Sequence, residues 1–314
     1  MSESSCDSFS VASEESGVRL DKVLAARYRE FRSRTYFQSL IDQGQVLVNH
    51  SPVKKRIAPK EGDVVEIAFS LSKEMSLDPE PIAFDILYED DYLIVVNKPA
   101  GLVVHPAPGN WSGTLVNGLL YHCKNISAAA VFTEDNPPRP GIVHRLDKDT
   151  SGAILMGKTD EMTAKLSALF AAREVYKEYV AVCIGNPGDR MIDLPIGRHP
   201  VHRKMMAVIP DGKPSLTQCH SIAHDEKFSF VQLILETGRT HQIRVHLKAL
   251  NCPILGDAVY GNKQINEKFG VTRPLLHART LRFTHPVTAK LLEVTAQLPE
   301  NFSPVLTEKI SNFL

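Results

Sequence analysis

Residues 139–152 read RPGIVHRLDKDTSG, a segment in which Arg139, His144, Arg145 and Lys148 crowd two acids, Asp147 and Asp149. Apolar residues flank it, Ile142 and Val143 within its first half and AILM at residues 153–156 after it, so at least one acid is expected to face the interior or a cleft. A carboxylate withdrawn from water must be paired or neutralised. An arginine about 4 Å away offers on the order of 4 kcal/mol of gross attraction at an effective dielectric near 20, which favours the charged form. Such a carboxylate is a competent nucleophile. The plainer alternative is a surface salt-bridge cluster.

Two other patterns carry less. GAILMGKT, residues 152–159, matches a phosphate-binding P-loop letter for letter. That loop, however, must expose its backbone in a bend between strand and helix, whereas four consecutive apolar residues suit a buried strand. Glu236, after VQLIL, is only a weak candidate for holding the magnesium ion such a loop would need. The twelve histidines raise a metal site, with His241 and His246 on one predicted helix and His220 and His224 on one predicted strand. Helical ligands that share a face sit three or four apart, and a five-residue step diverges. No metal and no cofactor is expected.

These residues must be positioned by an ordered framework, and the periodicities supply one. Leu20, Val23 and Leu24, then Phe37, Leu40 and Ile41, recur at helical spacing, with Ser33 as a candidate N-cap and Gly44 as a stop. QVLVN and DVVEIAF read as strands joined by the basic, turn-rich HSPVKKRIAPKEG. The acidic opening, residues 1–16, is expected to be a disordered tail, residues 17–70 a small α/β module, and residues 71–83 an acidic linker. Residues 84–314 then read as one larger domain. It opens with YLIVVNKPAGLVVHP, read as two apolar β-rich runs about a Pro-Ala-Gly turn, and continues with a helix at TLVNGLLYHC and a loop over 124–140.

Further on come strands at GAILMGK, KEYVAVCIG, SLTQCHSIAH, FSFVQLILE, LHARTLRF and LLEVTAQL, with helices at DEMTAKLSALFAAREV and THQIRVHLKAL. Many strands with few helices between them predict an α+β fold with a mixed, mostly antiparallel β-sheet flanked by helices and loops.

At 314 residues two domains are the better expectation, and 43% apolar with 23% charged residues describes a globular chain. Zero formal net charge conceals segregation: residues 17–70 carry ten basic against six acidic residues, and residues 92–314 carry 25 against 19. The acids gather in residues 1–16 and 71–91, leaving basic domains suited to a polyanion. Five scattered cysteines without close pairs suggest a reducing compartment. With neither a membrane-length apolar run nor a signal-like N-terminus, a cytoplasmic location and no membrane partner are expected.

HRLDKDTSG resembles the signature of the RluA-type pseudouridine synthases, whose catalytic aspartate falls on Asp147. REVYKEYVAVCIG and LETGRTHQIRVHLKALNCPILGD resemble, in the same chain order, the segments carrying that family's active-site tyrosine and arginine, here Tyr179 and Arg244. RPLLHARTLRFTHP fits as well, and the likeness spans about residues 84–300. Residues 17–70 resemble the RNA-binding module named for ribosomal protein S-four, which implies that Arg32, Arg34, Lys54, Lys55 and Arg56 face RNA phosphates. Together with NKPAGLVVHPAPGNWSGTLVNGLL, this module looks most like the branch that modifies large-subunit (23S) ribosomal RNA.

The resemblance implies isomerisation of uridine to pseudouridine, a redox-neutral reaction needing no cofactor, with RNA as the partner; a monomer is expected. The target must leave its stack at a cost of a few kcal/mol. Arg145 would hold the vacated space or a phosphate, Arg244 would pair with Asp147, and Tyr179 would stack on the extruded uracil. Asp147 would either add to C1′ or draw a proton from C2′. Two alternatives differ in substrate or class: the same reaction on transfer RNA, and a non-catalytic RNA-binding factor for ribosome assembly.

Overall fold

The computed structural model describes residues 5–28, 34–54, 56–69, 77–106, 110–123, 139–203, 205–300 and 302. The chain falls into two units, Met1–Ser76 with Ala129–Pro138, and Leu77–Ala128 with Arg139–Leu314.

In the first unit, strand β1 (Ser5–Ser10) precedes helices α1 (Leu20–Arg27) and α2 (Arg34–Asp42) and strands β2 (Val46–Val48), β3 (Ser51–Pro52) and β4 (Val64–Phe69). The strands form one antiparallel sheet in the order β1-β4-β2-β3. The helically spaced Leu20, Leu24, Phe37, Leu40 and Ile41 are buried with Val46, Val65 and Ile67 of the sheet. Gly44, at φ 71°, follows α2 in the left-handed conformation that suits a residue without Cβ. Ser33, the expected N-cap, lies outside the described residues.

The expected disordered tail is corrected in this unit. Residues 5–10 are the edge strand β1, in register with Phe69 to Val64, and Val11 is buried. Its polar composition hides it, yet its backbone completes a sheet edge and its acids find partners. Glu15 takes Nε and Nη2 of Arg27 at 2.6 and 2.7 Å, and Asp7 accepts the Tyr28 hydroxyl at 2.8 Å. The linker is also shorter than expected. Leu77 is buried in the second unit, and the Asp78 carbonyl accepts the side-chain amide of Asn117 at 2.8 Å.

The second unit continues with β5 (Asp85–Glu89), β6 (Leu93–Lys98), α3 (Leu115–His122), β7 (Ser151–Gly157), α4 (Asp160–Ala172), β8 (Tyr176–Ile184), β9 (Arg190–Asp193), β10 (Ile196–Arg198) and β11 (Met206–Val208). After these come β12 (Leu216–His224), β13 (Phe228–Leu235), α5 (Gln242–Ala249), α6 (Lys263–Lys268), β14 (Leu276–Thr284) and β15 (Leu291–Thr295). Nine strands make one sheet, ordered β5-β6-β7-β14-β8-β13-β12-β9, with β15 also on β14. Among the described strands only β7 and β14 run parallel; β10 and β11 form a separate hairpin. The fold is therefore α+β with a mixed, mostly antiparallel sheet.

One predicted strand is replaced. After β6 the run LVVHP is not extended pairing; the carbonyls of Val103 and Val104 instead accept the first backbone N–H groups of α3, from Leu115 and Val116. A helix start leaves such donors free, and this segment satisfies them. GAILMGK is a strand, buried at every position from Ser151 to Gly157, so the P-loop likeness has no loop to act through.

Candidate active site

Asp147 sits on the turn that leads into β7, and its position is set by its neighbours. Leu146 is buried on one side, and on the other the carbonyl of Lys148 accepts Nζ of Lys98 and the backbone N–H of Gly101, both at 2.9 Å. Lys98 is wholly buried and also donates to the carbonyls of Pro99 and Leu102. Burial pushes its ammonium down to about 7, against the opposing pull of Asp149 and Asp147. The Asp147 side chain itself keeps 21% exposure at the mouth of a pocket.

Arg244 comes from the first turn of α5. That helix is pinned by Gln242, which donates to the Leu216 carbonyl and the Thr217 hydroxyl, and by His246, held between Thr217 and the Leu194 carbonyl. Nη1 of Arg244 donates to Oδ2 of Asp147 at 2.9 Å, while Nε and Nη2 grip both oxygens of Asp257 at 2.7 and 2.9 Å. Burial disfavours the charge on Arg244, but the hydrogen bonds and charge of Asp257, and then Asp147, outweigh it and raise its pKa. For Asp257 burial likewise acts upward and is overcome by Arg244 and by the backbone N–H groups of Tyr260 and Val259, so its carboxyl is held below the ordinary range.

Tyr179 lies on β8 between Leu233 of β13 and Ala278 of β14. Its ring is buried, and burial together with the charge of Asp147 pushes its phenol well above the usual value. The three residues expected to share a site thus line one cavity of about 480 Å³, joined by Arg145, Arg239 and His241. That volume falls within the range of small-ligand pockets, of roughly 300–1,000 Å³.

Other sequence candidates land differently. His144 is a framework residue: its Nε2 accepts the Leu155 N–H at 2.8 Å, and its ring stacks on Phe170 at 4.6 Å. His246 is packing, whereas His220 and His224 are exposed on β12. In the first unit Lys54 and Arg56 are exposed, but Arg34 is drawn into a cluster in which it, Arg19 and Gln38 all donate to the buried Asp21. Arg32 and Lys55 lie outside the described residues. One described group, Glu89, His122 and Cys123, is close enough to share a metal ion. Its carboxylate is already engaged by His122 at 2.9 Å and Lys158 at 3.0 Å, which makes it an ion-pair cluster.

Sequence reasoning missed Asp257 and Tyr260, and weighed His241 only as a metal ligand paired with His246. The signal for Asp257 was available, because an arginine on the inner face of an amphipathic helix requires a buried counter-ion, and an acid follows in the same motif, NCPILGD.

A carboxylate gripped by a buried guanidinium, in one cavity with a tyrosine and further arginines, suits an enzyme that acts on a polyanion. Comparison with known proteins makes that class specific. Residues 92–249 match the RNA pseudouridylate synthase family model, and residues 18–65 match the S4 domain. An uncharacterized RNA pseudouridine synthase of Bacillus subtilis, YlyB, is 41% identical over 295 residues, covering 93% of this chain and 94% of its own. The ribosomal large subunit pseudouridine synthase D of Neisseria meningitidis is 42% identical over 306 residues, covering 94% of this chain and 79% of its own. Among solved structures, human RNA pseudouridylate synthase domain containing 1 superposes with a TM-score of 0.57 at 28% identity, over 73% of this chain and 88% of that one. The chain belongs to the RNA pseudouridylate synthase family, as an RluA-type enzyme with an N-terminal S4 domain.

Proposed function

We propose that this synthase isomerises uridines of large-subunit ribosomal RNA, and that Asp147 is the group that begins the reaction. The observation that carries the mechanism is that Asp147, Tyr179 and Arg244 line one cavity of about 480 Å³, with Arg244 held from behind by the buried Asp257. Bidentate contact with Asp257 fixes the guanidinium plane, so the remaining Nη1 approaches Asp147 from one direction and takes Oδ2. Oδ1, which takes no hydrogen bond from Arg244, is the oxygen left to react. From there Asp147 either adds to C1′ of the extruded nucleoside or draws the proton from C2′. The N1–C1′ bond breaks, the uracil turns, and C5 joins C1′ as Asp147 releases that carbon or returns the C2′ proton; C5 then loses its hydrogen as a proton while N1 gains one, so the balance needs no cofactor.

Tyr179 stacks on the base and is suited to relay a proton through its hydroxyl. Arg145, exposed at the pocket wall, holds the space the base vacates or a neighbouring phosphate. Lys54 and Arg56 of the S4 domain add phosphate contacts, which supply affinity without reading sequence. Monomeric action in the cytoplasm completes the reading.

The choice of ribosomal over transfer RNA rests on the names of relatives that cover nearly the whole chain, the Neisseria meningitidis protein among them. The deciding experiment maps pseudouridine across ribosomal and transfer RNA from cells with and without the protein. Loss confined to transfer RNA overturns the substrate. For the mechanism, Asp147→Asn should bind RNA within about 1 kcal/mol of the parent, since the amide is isosteric, yet release no tritium from C5-labelled uridine. Turnover above background removes Asp147 from its role.

A further inference from the structure

Beyond the array that holds Oδ2 of Asp147, a second chain of contacts runs toward Oδ1, and the reaction as proposed gives it no task. It begins at the β10–β11 hairpin, where the backbone N–H of Met206 donates to the Tyr260 hydroxyl at 2.8 Å. The same hydroxyl lies 2.8 Å from Nδ1 of His241, and Nε2 of His241 lies 3.9 Å from Oδ1 of Asp147. Tyr260 is buried, with the Arg244 guanidinium 5.0 Å from its ring centre. His241 caps the N-terminus of α5 at φ 58°, a left-handed conformation that costs a residue with a Cβ and persists where its surroundings impose it.

The hydrogen positions follow from this network. Since the Tyr260 oxygen already accepts the Met206 N–H, its own proton needs an acceptor, and Nδ1 of His241 is the near one. The imidazole then carries its hydrogen on Nε2, the nitrogen facing Asp147. The other tautomer would leave the Tyr260 proton without this partner and aim a lone pair at a carboxylate. Both effects favour the same form.

We infer that His241 is a positioning residue for the known reaction: a neutral imidazole, aimed by Tyr260, whose Nε2–H fixes Oδ1 of Asp147 while Arg244 fixes Oδ2. This rests on the reading of Asp147 as the reacting group. At 3.9 Å the contact is open and needs about 1 Å of closure to become a hydrogen bond, a tightening of the kind that catalytic contacts undergo when substrate binds. Its effect is to orient the carboxylate by a donor on each oxygen. Because the chain starts on the hairpin backbone, the placement of that hairpin is linked to the orientation of Asp147.

The experiment compares His241→Phe, His241→Gln, Tyr260→Phe and the double variant Tyr260→Phe with His241→Phe, in the full-length protein under single-turnover tritium release. Each variant is first checked for its melting temperature and RNA affinity, and His241→Ala replaces His241→Phe should the latter not fold. His241→Phe keeps a ring but no donor and should slow the chemical step roughly tenfold or more with RNA affinity unchanged within about twofold. His241→Gln, whose amide carries a donor near the position of Nε2, should recover most of that rate. Tyr260→Phe should slow the step less, and the double variant no more than His241→Phe alone, since both act through one contact. A His241→Phe enzyme as fast as the parent overturns the inference, as does a glutamine no better than phenylalanine, or effects that multiply in the double variant. Failure of the Asp147 reading is distinguishable, because it appears as turnover by Asp147→Asn.

Discussion

Asp257 decides what Arg244 is able to do. With only Asp147 present, one edge of the guanidinium would be free to grip both oxygens of that carboxylate in place of one. By taking Nε and Nη2, Asp257 reduces the hold on Asp147 to a single bond. Asp257→Asn removes a buried counter-charge, a change that typically costs about 3–5 kcal/mol, and releases the fork to move. With Asp147 as the proposed reacting group, we expect kcat to fall by roughly one to two orders of magnitude, because a displacement of about 1 Å has that effect. The substitution also changes the acid response. Burial opposes the charge of Asp257, but Arg244 and two backbone N–H groups prevail, so the folded pKa is lowered. Its contribution to stability is complete above the ordinary carboxylate range and disappears as pH falls through the lower folded value. Acid unfolding followed by circular dichroism should therefore show a shallower limb below about pH 4 in Asp257→Asn than in the parent. An identical limb contradicts the assignment of Asp257 as a paired carboxylate.

Strand β7 is the element on which the site depends, since it begins immediately after the turn holding Asp147 and pairs in parallel with β14. Gly152 makes that closeness possible. At φ 115° a Cβ there would stand 2.1 Å from the Ala278 carbonyl oxygen, a backbone atom with little room to yield. Gly152→Ala should destabilise the second unit by at least about 2 kcal/mol, measured by urea unfolding, and should slow catalysis by shifting the turn at Asp147. A neutral effect would mean that the two strands separate easily. This glycine shows where sequence reading stops. The strand is legible because AILM is an apolar run too short for a helix, and α4, α5 and β8 are legible from long periodic segments. Asp147, Tyr179 and Arg244 come from motif likeness, and the structure brings them together. Strands β1, β9, β10 and β11 escape such reading because they are short or polar, and extended polar residues carry no burial pattern; what specifies them is a partner strand, which a local pattern does not contain. Tyr260 is hidden for a related reason, and so is the pairing of Asp257, for which the sequence offers only an available acid. Their roles arise only once the chain after α5 has folded back, with Leu255 bonded through its backbone to Val182 of β8, and so returns an acid to the arginine that precedes it.

Across the whole chain, charge and buried histidine set how the molecule responds to its medium. The zero net charge masks a basic stretch at residues 17–70, and among its described cations Lys54 and Arg56 stand exposed while Arg34 serves Asp21. Replacing both Lys54 and Arg56 with alanine should lower the slope of log affinity against log salt by roughly 0.7–0.9 for each phosphate no longer neutralised, leaving the single-turnover rate on saturating RNA unchanged. An unaltered slope would take these two residues off the RNA. The response to acid has a different origin. Burial lowers His144 to about 3, with Lys177 acting in the same direction. Burial also lowers His277 to about 4, against the Ala296 carbonyl, and His105 to about 4, with Arg145 and Arg139 adding to it. In each case the folded state refuses a proton that the unfolded chain accepts near pH 6.5. The stability they allow is therefore complete above that pH and is lost as pH falls toward the folded values, at up to about 1.4 kcal/mol per unit for each histidine. This window lies above that of the carboxylates, so the two are separable. Urea unfolding at pH 7.5 and 5.5 should give a distinctly lower midpoint at the acid end. His144→Gln, whose side-chain oxygen is able to accept the Leu155 N–H, should lessen that drop, and equal midpoints in the parent at both pH values would show that these imidazoles are not held neutral.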